Sequence, residues 1–126
     1  MVRNVLFALV LAACGSHSGA SAEAEHHDME TMPADLAQFH DVLAPHWHAA
    51  AGPARRQGTC DAIGAMEAGA DGVVKARASS PEAKQLRDAV AELSRACATR
   101  AADADFDAAF GKVHESFHHA LEAANR

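Results

Sequence analysis

The sequence predicts an all-α domain, arranged as an antiparallel up-down-up-down four-helix bundle, and three observations carry that expectation. Ala supplies much of the 49% apolar content, Tyr is absent and β-branched residues are few, a composition that favours helix over strand. Apolar residues recur at three- and four-residue steps, most clearly in Phe106, Phe110, Val113, Phe117 and Leu121, which stack into one stripe. Helix-opening signals punctuate the chain, and the links between them are short, as in a bundle.

The first fourteen of the 126 residues read as targeting rather than fold. Arg3 supplies a positive start, Val5 to Leu11 an apolar run, and Leu11-Ala12-Ala13-Cys14 closes it. The run is too short to span a membrane as a helix. Leu11-Ala12-Ala13-Cys14 resembles the lipobox of bacterial lipoproteins. That resemblance implies cleavage before Cys14, acylation of Cys14, and a place in the cell envelope anchored to the membrane by lipid. Gly15 after the Cys implies release to the outer membrane, with the protein facing the periplasm. Residues 15–32 are rich in Ser, Gly, Ala, Glu and His without an apolar period, and read as a flexible tether. His26, His27, Met29 and Met32 make that tether a secondary tract for loose Cu or Zn binding.

The domain proper is expected over residues 33–126. Helix one opens at Pro33-Ala34-Asp35, with Leu36, Phe39, Leu43 and Trp47 as its stripe, and Pro45 is expected to kink or end it near Ala44. If Pro45 cuts it short, a three-helix arrangement is the alternative. Ala51-Gly52-Pro53 marks a turn. Helix two is expected from about Thr59, its N-cap, to Arg77, with Gly64, Gly69 and Gly72 weakening it. Ser80-Pro81-Glu82 restarts the chain as helix three, whose stripe is Leu86, Val90, Leu93 and Cys97. Asp103 or Asp105 opens helix four.

Three cysteines are odd for an exported chain, but lipid takes Cys14 and leaves Cys60 and Cys97. Cys60 lies nineteen residues before Ser79 and Cys97 eighteen after it. In a hairpin turning at Ser79–Ser80 the two are level, so a disulfide between helices two and three is expected.

The formal charge of −6 becomes −7 once Arg3 leaves with the leader. The largest basic cluster is the pair Arg55–Arg56, which argues against nucleic acid as a partner. Chemistry concentrates instead in histidine. His114 and His118 stand one turn apart on the flank of the last helix's stripe. Packing helix one antiparallel on helix four sets His40 level with His118 or His119, and a bend at Pro45 brings His46 near. The expected site is therefore a transition-metal centre for Cu or Zn, with His40, His46, His114 and His118 as donors. His119 points away from the stripe.

His114-Glu115-Ser116-Phe117-His118 fits H-E-x-x-H, the zinc-protease pattern. Proteolysis needs a third ligand and an edge to hold a peptide, and the sequence offers no strand for the latter. We read the match as coincidental for proteolysis and expect no enzyme. In size and layout, Pro33 to Arg126 resembles the cytochrome b562 and cytochrome c′ bundles, at the level of architecture only. That resemblance implies haem b as the alternative cofactor, held non-covalently because the C-x-x-C-H attachment motif is absent. A cofactor-free structural or interaction module of the envelope is the remaining alternative.

Overall fold

The computed structural model describes residues 32–126, which form five helices and no strand. They are α1 (Ala34–Trp47), α2 (Pro53–Asp61), α3 (Ile63–Ala76), α4 (Pro81–Ala98) and α5 (Asp103–Ala124). The expected lipobox with Cys14, and His26, His27 and Met29 of the expected tether, lie outside the described residues. Met32 lies within them and packs, partly buried, against the core. None of these helices is long and apolar enough to cross a membrane.

Pro45 does not end α1, which continues to Trp47, and the His48 N–H bonds the Ala44 carbonyl at 3.0 Å. A proline at position 45 removes one helical bond, to the Asp41 carbonyl. Both residues are exposed, so the lost bond falls on the solvent side of the helix, while Leu43 and Trp47 keep the last turn pinned to the core.

The second expected helix is corrected in two ways. Helix begins six residues earlier, at Pro53, and it breaks at Ala62 into α2 and α3. Gly52 adopts φ 141°, a conformation that side chains resist, and Pro53 takes the first helical position with its φ preset. Thr59 is therefore no N-cap. It is fully buried, and its hydroxyl donates to the Arg55 carbonyl at 2.8 Å. The stretch from Pro53 to Gly58 escapes an apolar-period reading because Arg55 and Arg56 hold it, through rings and carboxylates on α5. The Arg55 guanidinium lies 5.3 Å from the Phe110 ring centre, and that of Arg56 lies 5.0 Å from Phe106. Arg56 also donates to Asp103 at 2.8 Å and to the Ala101 carbonyl.

α4 opens as its sequence announces: the Ser80 hydroxyl accepts from the Ala83 N–H at 3.1 Å, with Pro81 at the first position. Its C-terminus is closed by two bonds, Ala101 N–H to the Ala96 carbonyl and Arg100 N–H to the Cys97 carbonyl. This is a Schellman closure, and Arg100 sits in it at φ 51°, where glycine is the usual residue. Arg100→Gly is accordingly expected to stabilise the domain by about 1 kcal/mol, the αL strain of a side chain with a Cβ. A rise in the thermal midpoint checks it.

The core joins Leu36, Phe39 and Leu43 of α1 to Met66 and Val73 of α3, Leu86 and Leu93 of α4, and Phe106, Phe110, Val113 and Phe117 of α5. α5 packs on α4, α4 on α3, and α1 on both α3 and α5. At Gly69 the absence of a side chain has a steric purpose, since a Cβ there would lie 3.1 Å from the Phe39 ring. Cys60 and Cys97 form the disulfide, with Cα atoms 5.6 Å apart.

Candidate functional site: an imidazole cluster along the α1–α5 seam

α5 buries Phe106, Phe110, Val113 and Phe117 in full, so the residues one step round from that stripe line its margin. His114 and His118 are those residues. Their Nε2 atoms stand 3.2 Å apart, one donating and the other accepting, with the rings nearly perpendicular at 74°. His114 is half-buried and His118 exposed, so the pair opens to solvent on one side.

Trp47 at the end of α1 fixes His114. The two rings stack at 3.9 Å between centres and 8° between planes. Trp47 is itself wedged edge-on against Phe110 at 5.3 Å, with the Arg55 guanidinium 5.8 Å from its ring centre. One imidazole of the pair is therefore held between a rigid indole and its own helix. His40 lies further back on α1, half-buried, with its ring 5.6 Å from that of Phe117.

The His114 imidazole titrates below the usual histidine range. Burial is the first cause, followed by the positive charges that His118, His48 and His40 carry when protonated. Because the folded state favours neutral His114, the unfolded chain binds its proton first as pH falls. The resulting contribution to stability is complete above the unfolded value of about 6.5 and is lost as pH drops through the folded value. His114→Gln is expected to flatten the fall in stability below pH 6.5, measured by urea unfolding at a series of pH values.

The expected residues are distributed as follows. His114 and His118 are in contact, and His40 lies on the same seam. His46 is turned to the other side of α1, where its Nδ1 lies 3.3 Å from the place a Cβ on Gly58 of α2 would occupy. His48, the residue that caps the C-terminus of α1, is exposed. His119 and Glu115 are exposed. Among the described residues, no three His, Cys, Asp or Glu side chains are already gathered as a metal-ligand group. Two of the imidazoles, His114 and His118, are in direct contact.

A groove of about 360 Å³ between α4 and α5 lies apart from this cluster. It is lined by Glu92, Arg95, Thr99, Asp105 and Lys112, a mixture of signs, and Lys112 is already bound to Glu92 at 2.7 and 3.0 Å. Comparison of the chain with protein-family models, with curated proteins and with solved structures gives no match.

Proposed function

We propose that this is a lipid-anchored protein of the cell envelope that binds a transition-metal ion, Cu or Zn, through histidines of α1 and α5. The single observation that carries the metal reading is the 3.2 Å separation of the His114 and His118 Nε2 atoms. Two imidazole nitrogens on one tetrahedral zinc, at about 2.0–2.1 Å each, stand about 3.3 Å apart. The pair is therefore spaced as a chelate, with the shared proton standing where a metal would bind. Both rings bind a metal as neutral imidazoles, so on loading the donating ring carries its proton on Nδ1 instead of Nε2, and the lowered proton affinity of His114 helps keep that ring neutral. His40 supplies the first donor from α1.

The architecture we assign is the antiparallel four-helix bundle, with α2 and α3 as two segments of one rod. Partner numbers support it. Along α1, Asp35 meets Arg77, Phe39 meets Gly69 and His46 meets Gly58, so one partner number falls as the other rises. Glu82 with Arg126 and Glu92 with Lys112 give the same sense for α4 and α5. Acylated Cys14 and the 15–32 tether would hold this bundle at the outer membrane, facing the periplasm.

Metal analysis and a visible spectrum of protein purified from its own host test the reading. Stoichiometric Cu or Zn without a Soret band is the expected result. A strong Soret band lost in His114→Ala and His118→Ala would instead assign these histidines to haem b.

A further inference from the structure

α2 is anchored unlike its neighbours. Of its nine residues only Thr59 is fully buried, and Cys60 is the one apolar side chain that it packs against the core. Every other helix buries three or more residues. A helix as short as α2 is marginal by itself, so its place depends on what ties it down.

Both ends of α2 are breaks in the helical path. Gly52, at φ 141°, precedes it, and Ala62, at φ −92° and ψ 2°, parts it from α3. Between these joints the segment lies against three rings of α1 and α5. The Arg55 guanidinium stands over Trp47 and Phe110, and that of Arg56 over Phe106. Phe106 and Phe110 are buried beneath them, and Trp47 is half-buried. The same arginines pair with Asp107 at 3.4 Å and Asp103 at 2.8 Å, but both carboxylates are exposed, and exposed pairs hold weakly. The strong tie is covalent. Cys60, in the last turn of α2, is bonded to Cys97, in the last turn of α4. Neither cysteine is fully buried, so the bridge lies at the margin of the core.

We propose that the Cys60–Cys97 bridge is the latch of a redox-operated strap. Closed, it holds α2 over Phe106, Phe110 and Trp47. Opened, it lets α2 swing away on its two joints and uncovers those rings. The remaining helices stay packed, because the buried apolar core comes from them and not from α2.

Opening is thiol–disulfide exchange with a dithiol. One thiolate of the dithiol attacks a bridge sulfur, which breaks the Cys60–Cys97 bond and forms a mixed disulfide. The second thiolate then attacks its own partner's sulfur in that mixed disulfide. The dithiol leaves oxidised to an internal disulfide, two electrons pass to the bridge, and Cys60 and Cys97 each take a proton as thiols. No histidine takes part, so the strap stands apart from the metal reading.

The test uses the full-length chain carrying Cys14→Ser, in which Cys60 and Cys97 are the only cysteines. Dithiothreitol is the dithiol. Amide hydrogen exchange is followed by mass spectrometry in the oxidised protein, the reduced protein and the Cys60→Ser, Cys97→Ser variant. In the last two, exchange over residues 53–61 is expected to quicken by at least about tenfold, a modest share of the effect of a cross-link of this span. The α4 and α5 amides are expected to stay protected. Trp47 emission should move to longer wavelength in the same two samples, as Arg55 leaves its ring. Equal protection of α2 with the bridge open and closed overturns the proposal, and so does loss of protection in α2, α4 and α5 together. An unmoved Trp47 emission beside a loosened α2 overturns the uncovering of the rings. A bridge that dithiothreitol does not open in the folded protein is no latch.

Discussion

Phe110→Ala is expected to cost about 3–5 kcal/mol, the range for truncating a buried aromatic. Phe110 is fully buried and is the point where three elements meet. The edge of Trp47 stands on its ring, Phe106 lies 5.9 Å away on its own helix, and the Arg55 guanidinium of α2 covers it. Small domains have about 5–15 kcal/mol in total, so the variant should sit close to unfolding. Removing Phe110 also removes the support under Trp47, and with it the orientation of His114. Loss of the near-ultraviolet signal of Trp47 should accompany the lower urea midpoint. A cost under about 1.5 kcal/mol, the size of a conservative core change, would mean that this end of the molecule is not packed as described.

Replacing both Cys60 and Cys97 by Ser is expected to lower stability by about 4 kcal/mol, the chain-entropy value for a loop of this span. The sequence separation of the bridged residues is 37. The effect should concentrate at α2, a helix of nine residues cut off from α3 at Ala62. So short a helix is marginal alone, and the bridge to α4 ties down its last turn. Paired replacement is needed, because a single change leaves a half-buried thiol. Urea unfolding of the double variant, with and without reductant, checks the value. Identical stability of the bridged and unbridged proteins would refute the bridge's structural part.

These results bear on what the chain reveals before it folds. The stripe of α5, the cap of α4 at Ser80 and the pairing of Cys60 with Cys97 are all legible, because each is a local period or a matched distance. α2 is not, since Arg55 and Arg56 hold it by facing the rings and carboxylates of α5, and no apolar period records that. The contact between His114 and His118 is likewise local, one helical turn. The α1 histidines are a different matter. His46 and His48 flank Trp47 symmetrically in sequence, and which of them faces α5 depends on the side of α1 on which α5 packs. That side is set by Phe39 over Gly69 and Trp47 over Phe110, contacts between distant parts of the chain.

The central claim, a metal held by His114 and His118, is tested most directly through Trp47, the only tryptophan in the chain. Its ring is stacked on His114 at 3.9 Å, so an open-shell Cu(II) on that imidazole lies close enough to quench the indole emission. Cu(II) is titrated into the full-length His17→Ala, His26→Ala, His27→Ala protein and into the same protein carrying His118→Ala, which breaks the chelate but keeps the stack. Saturable quenching at one equivalent in the first protein, weakened by at least about tenfold in the second, is the expected result. Equal quenching curves in the two proteins would contradict it.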